Sequence, residues 1–169
     1  MKFANLYWQE IEMGKNQKIQ VNIGDWLQFL TIDYIYSEMN ICVPEEIIKI
    51  SIEEVKTYSG NDYLILPLNW SLFDSKYMEG DKIAISPKII PVFLSMTLGH
   101  SYKEEYFNEY NINFLKKFEP IGCRDEITMN ILRSFNINAY LNGCLTSILP
   151  KRVNKESAKK IILVDVPVE

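Results

Sequence analysis

Pro120-Ile121-Gly122-Cys123-Arg124-Asp125 is the stretch on which the reading of this sequence turns. Its first four residues make a short buried-strand pattern that ends at Arg124. Asp125 stands directly ahead of Ile127, Ile131, Leu132 and Phe135, which recur at helical spacing. An aspartate at that place caps a helix, because its carboxylate accepts early backbone N–H groups that have no partner inside the helix. A strand that runs through one basic residue into a capped helix is the repeating unit of an open α/β sheet. In such sheets ligands collect where strands end and helices begin, since helix N-termini present free N–H groups to anions.

The same alternation extends in both directions. Apolar, β-branched runs of strand length occur at Ile47 to Ile52, Tyr63 to Leu68, Ile89 to Met96, Asn138 to Leu141 and Lys160 to Val166. Most lack a clean two-residue alternation, which is the pattern of strands covered on both faces. Between them, Trp26, Leu27, Leu30, Tyr34 and Ile35 share one helical stripe, and Phe107, Tyr110, Phe114 and Leu115 share another. Asp25 with Gln28, and Ser101 with Glu104, have the spacing of capping boxes. The expected fold is an open, mostly parallel α/β sheet with helices on both faces, built as one domain over residues 1–169.

Composition narrows the chemistry. The chain has 169 residues, 47% hydrophobic and 24% charged, so it can bury a core without a metal or disulfide staple. Its 18 basic against 22 acidic residues give a net charge of -4, which argues against a nucleic-acid partner bound through phosphates. A single histidine, His100, leaves no two-histidine metal site, and no metal is expected. Three cysteines, Cys42, Cys123 and Cys144, contain no C-x-x-C pair; they suggest reduced thiols and a cytoplasmic location. No apolar stretch approaches the ~20 residues of a membrane helix, and no apolar signal core follows Met1.

Few residues are left to carry chemistry. Arginine grips carboxylate and phosphate bidentately, and the chain has three: Arg124, Arg133 and Arg152. Arg133 reads as a solvated helix-end charge and Arg152 as part of a basic surface loop. For Arg124 two readings stand, an ion pair with Asp125 or an anion clamp. His100, after Leu98-Gly99, is either an acid/base group or incidental. Cys123 and Cys144 read as small buried hydrophobes. Trp70 and Phe73 are either core or an aromatic platform for a sugar.

Taken in order, five segments resemble the polysaccharide pyruvyltransferase family. They are Asn22-Ile23-Gly24-Asp25 with Gln28; Leu66-Pro67-Leu68-Asn69-Trp70; Pro91-Val92-Phe93-Leu94-Ser95; Gly122-Cys123-Arg124-Asp125 with Thr128; and Ala139-Tyr140-Leu141-Asn142-Gly143-Cys144-Leu145-Thr146. The resemblance spans roughly Asn22 to Pro167. It implies a Rossmann-like domain, one half of a two-domain architecture similar to that of glycosyltransferases. It also implies transfer of a pyruvyl group from phosphoenolpyruvate to a sugar of a cell-surface polysaccharide, with no cofactor beyond that donor. Carried over by position, Asn22, Gly24, Gln28, Asn69, Gly122, Arg124, Asp125, Gly143 and Thr146 would bind substrate, with Arg124 on the anion. Asp25 and His100 are the candidates for acid/base work.

The sequence stops at Glu169, near where members of that family continue into a second domain. The expectation is therefore half of a two-domain catalyst, needing a second domain, a partner chain or self-association. Two other functions suit the same fold: a sugar-nucleotide glycosyltransferase domain and a non-catalytic binding or assembly module.

Overall fold

A computed structural model describes residues 1–7, 23–41, 46–69, 71–98 and 102–150, with the backbone alone at positions 23 and 25. The elements in chain order are β1 (Lys2–Tyr7), α1 (Ile23–Glu38), β2 (Ile48–Ser51), β3 (Leu64–Leu68), β4 (Met78–Glu79), β5 (Lys82–Ile83), β6 (Ile89–Phe93), α2 (Glu109–Lys116), β7 (Ile121–Cys123), α3 (Glu126–Ser134) and β8 (Ala139–Leu141). Single 3₁₀ turns lie at Ile52–Glu54, Glu104–Tyr106 and Leu145–Ile148.

Four strands pair in the order β2-β1-β3-β6, all parallel, and β7 pairs with β8 in parallel. The two groups are one continuous surface. Beyond the end of β6, Met96 bridges to Cys123: the Met96 N–H donates to the Gly122 carbonyl, and the Arg124 N–H donates to the Met96 carbonyl, both at 2.8 Å. The parallel order is thus β2-β1-β3-β6-β7-β8, the doubly wound pattern. The direction of winding reverses between β1 and β3, so the ligand crevice of such a sheet opens at the carboxyl ends of those two strands. β4 and β5 form a separate antiparallel hairpin. Asn111 of α2 pins it: fully buried, its side chain accepts from the Ile83 N–H and donates to the carbonyls of Asp81 and Tyr106.

The strands at Ile47 to Ile52, Tyr63 to Leu68, Ile89 to Met96 and Asn138 to Leu141 appear within a residue or three of the predicted bounds, and the strand before Arg124 is β7. β1 and the β4–β5 hairpin are additions. Lys2-Phe3-Ala4-Asn5-Leu6-Tyr7 carries a buried Asn5 and a terminal lysine, so it does not read as an apolar run, yet Ala4 and Leu6 are buried at the centre of the sheet. The run at Lys160 to Val166, together with Arg152, Ser101, Trp70 and Cys42, lies outside the described residues.

Three helical expectations are corrected. In α1 the stripe Trp26, Leu27 and Leu30 faces outward, at 40%, 37% and 52% exposure, while Gln28, Phe29, Thr31, Ile32 and Tyr36 face inward. Two of the polar groups on the buried face find backbone partners. The Thr31 hydroxyl donates to the Leu27 carbonyl, and the Tyr36 hydroxyl to the Ala4 carbonyl. Asp25 is not the residue ahead of this helix. The helix already runs from Ile23, so Asp25 lies in its first turn, and the inward-facing Gln28 does not close a capping box. The second stripe is interrupted: Phe107 is buried ahead of α2, whose cap is Asn108 accepting from the Asn111 N–H, and Tyr110 is exposed. In α3, Leu132 is buried but Ile127 is 72% exposed.

Both faces of the sheet are covered. Successive residues of β1 point to opposite sides, with Phe3 packed against α1 at Tyr36 and Ala4 and Leu6 in the larger apolar cluster that also holds Leu115 of α2 and Leu132 of α3. Packing is tight at Gly122, where an added Cβ would stand 3.1 Å from both the Phe93 carbonyl oxygen and the Tyr140 hydroxyl. Gly122→Ala therefore pushes β6 and β8 apart at the seam. We expect it to lower unfolding free energy by roughly 1–3 kcal/mol, read as an earlier midpoint in urea.

Candidate functional site

The site is built where β6, β7 and β8 end. After β6 the chain does not turn away but continues as Ser95-Met96-Thr97-Leu98, threading between its neighbours. Ser95 is fully buried with φ at 56°, a left-handed conformation that costs a non-glycine residue about 1–2 kcal/mol. Three hydrogen bonds offset that cost. The Ser95 hydroxyl donates to the Gly143 carbonyl at 2.7 Å and accepts from the Leu145 N–H, and the Ser95 N–H donates to the Asn142 side chain at 3.2 Å. The N–H groups of Asn142 and Gly143 both donate to the Cys123 carbonyl, so the exit from β8 folds back onto β7. Gly143, with φ at 70°, supplies the left-handed turn this requires.

On the other side, Asp125 caps α3 as expected, accepting from the Thr128 N–H at 2.8 Å. Its carboxylate also takes the Thr128 hydroxyl and, across from the β6 extension, the Thr97 hydroxyl at 3.0 Å. Thr128 in turn accepts from the Leu98 N–H. Partial burial pushes the Asp125 carboxyl up, but the Thr128 N–H, the two threonine hydroxyls and the Arg124 charge together hold it below the usual carboxylate range.

The ion-pair reading of Arg124 is not what the structure forms. Asp125 is satisfied by threonines, and no ion pair among the described residues includes Arg124. Its backbone is anchored to Met96, and its side chain is exposed. Arg133 is an exposed charge in the last turn of α3, as expected, and it also donates through Nε to the Ala139 carbonyl at 3.0 Å, tying α3 to β8.

Two free thiols flank this cation. Cys123 is buried in β7, as expected, and burial, with a contribution from Asp125, pushes its pKa up to about 11. Cys144 differs from the expectation of a buried hydrophobe: it is half-buried, its Sγ 3.1 Å from the Thr146 hydroxyl. Burial raises its pKa, but the hydrogen bonds from Thr146 and the Arg124 charge outweigh this and hold the thiol below its ordinary value. Cys144, Thr146 and Arg124 therefore form one electropositive corner.

The remaining expected residues gather elsewhere. Gln28 is buried on α1, Gly24 is exposed at the start of that helix, and Asn69 is buried immediately after β3. These positions belong to the crevice between β1 and β3, two strands across the sheet from Arg124. Gly122 is enclosed by protein atoms of β6 and β8. Asn22 and His100 lie outside the described residues, as does the side chain of Asp25. Sequence reasoning passed over Ser95, Thr97 and Asn5 as site residues. A serine and a threonine in the last turn of an apolar run, and an amide inside one, are the signals that could have marked them.

A family model described as polysaccharide pyruvyl transferase matches residues 15–167. The chain belongs to that family. Its mostly parallel open sheet agrees with the expected Rossmann-like fold. No curated protein and no solved structure matches the chain. Among the described residues of this family member, no helix is long and apolar enough to cross a membrane.

Two outcomes follow from this corner of the molecule. Asp125→Ala removes a helix cap and the link to Thr97, and we expect a loss of about 1–2 kcal/mol at neutral pH. Because the carboxyl is held below its unfolded value, that stabilisation is complete above about pH 4 and disappears as pH falls through the folded value. Urea titrations of both proteins across that range check it. In site-resolved alkylation with iodoacetamide near pH 7, Cys144 should react before Cys123, and Arg124→Ala should slow Cys144 by raising its pKa.

Proposed function

We propose that this chain is a phosphoenolpyruvate-binding half of a pyruvyltransferase that forms a ketal on a sugar of a cell-surface polysaccharide. The observation that carries this reading is the unpaired guanidinium of Arg124, held at a strand end by its own backbone while its neighbouring carboxylate is committed to threonines. A donor that carries both phosphate and carboxylate calls for such a fork.

The reaction needs a proton delivered to the methylene carbon of the donor, addition of one sugar hydroxyl at the adjacent carbon with loss of its proton, and departure of phosphate as a second hydroxyl adds and gives its proton to the leaving phosphate or a base. The products are the cyclic ketal and inorganic phosphate. Arg124 stabilises the dianionic leaving group as charge collects on it. Asp25, in the first turn of α1, and His100, two residues beyond Leu98 in sequence, are our candidates for the proton transfers. Arg124 is open to solvent, so we assign water exclusion to a second body over this face, either a further domain or another chain. The free thiols Cys123 and Cys144 support a reducing, cytoplasmic setting.

Calorimetric titration with phosphoenolpyruvate tests the assignment. Arg124→Ala should weaken binding about tenfold or more, and Arg124→Lys should recover only part, since a point charge replaces a fork. Binding unchanged by Arg124→Ala would show that the anion sits elsewhere.

A further inference from the structure

The crevice between β1 and β3 has an unusual chemical character. Among the described residues, five buried side-chain polar atoms have no hydrogen-bond partner, and four of them are Asn5 Oδ1, Gln28 Oε1, Asn69 Oδ1 and Asn69 Nδ2. These three side chains are at most 5% exposed. A buried polar atom without a partner is costly, and native proteins rarely keep one without a reason.

The three amides lie together at one end of the sheet. Asn5 Nδ2 donates to the Phe29 carbonyl at 2.8 Å, so the turn of α1 that carries Gln28 sits over Asn5. The β1–β3 register, Lys2 opposite Leu64 and Phe3 opposite Ile65, brings Asn69 level with Tyr7 when carried along the strands. That is the point where the winding of the sheet reverses and where ligands of doubly wound folds bind.

The orientation of Asn5 is fixed by its partners. Its Nδ2 donates to two acceptors, the Phe29 carbonyl and Asp33 Oδ1, so its free atom is the oxygen. Turned either way, Asn69 offers one donor and one acceptor. With the Gln28 oxygen turned inward, the unpartnered set is three acceptors and one donor, and the Asp33 carboxylate behind it is paired with Lys49. An ionised phosphate or carboxylate brings only acceptors and finds one donor among oxygens. Hydroxyl groups, which donate and accept, fit all four atoms.

We infer that Asn5, Gln28 and Asn69 form a subsite for the hydroxyls of a neutral saccharide. This inference rests on the proposed transfer reaction and gives its two substrates separate seats. The acceptor sugar lies at the β1–β3 crevice and the anionic donor at Arg124, about 10 Å away across two strand spacings. A saccharide held at the first can present a hydroxyl to a donor held at the second.

The test follows the side-chain amide resonances of the ¹⁵N-labelled full chain, assigned through bonds. The probes are methyl β-D-glucopyranoside and methyl α-D-mannopyranoside, with inorganic phosphate and phosphoenolpyruvate as anions. At least one glycoside should move the Asn69 and Gln28 resonances while phosphate leaves them in place. Asn69→Leu and Gln28→Leu should each weaken glycoside binding about tenfold with the melting temperature unchanged or raised, since the orphan atoms are gone. Arg124→Ala should leave glycoside binding intact. Resonances unmoved by both glycosides, or moved as much by phosphate, overturn the inference, and the unaltered protein gives that answer even if a variant fails to fold. Glycoside failure with Arg124-dependent phosphoenolpyruvate binding intact overturns this subsite alone. Loss of phosphoenolpyruvate binding with the glycoside response intact overturns the donor seat alone.

Discussion

The pair of backbone hydrogen bonds at Met96, one given to Gly122 and one received from Arg124, holds the site together. Without it the sheet would be two separate pieces, β2-β1-β3-β6 and β7-β8. With it, the residues on either side of Met96 work in opposite directions. Ser95 grips the turn after β8, and Thr97 grips the cap of α3. The guanidinium that emerges between them has its backbone fixed and its side chain uncommitted. A charged group can serve a ligand at little reorganisation cost only when its surroundings are satisfied without it.

Much of this was legible in the sequence, for identifiable reasons. Parallel strands are written as apolar runs, so β2, β3, β6 and β8 stood out, even though β8 keeps Tyr140 and Leu141 exposed, and Asp125 ahead of Ile127 marked α3 because a cap is a local device. What failed was any inference that equated apolar with inward. In α1 Trp26, Leu27 and Leu30 face outward, and the inward residues include Gln28 together with Thr31 and Tyr36, whose hydroxyls are held by a helix carbonyl and by strand β1. Strand β1 was hidden for the same reason: Asn5 breaks the apolar pattern at the residue that meets α1. Local polarity cannot reveal a partner 24 or more residues away.

Arg124 shows the same limit in the site. Its position at a strand-to-helix junction could be read directly, but its freedom could not. Whether it pairs with Asp125 depends on Thr97, 28 residues from that carboxylate, and on Thr128. The lowered thiol of Cys144 draws on the nearby Thr146 and, in part, on the charge of Arg124, which reaches it only in the folded chain. The identity of single site residues was accessible, while their electrostatic state was set by tertiary contacts.

The Ser95 contacts also bear on how the molecule is made. They join positions 47 to 50 residues apart, so each needs a long stretch of chain to close before it contributes anything. Strand β6 can pair with β3 early in synthesis, yet Ser95 lacks these three partners until Asn142 to Leu145 exist. The electropositive corner is therefore a late event in folding, assembled after most of the sheet. A nascent chain halted before residue 142 could hold a core without holding the site.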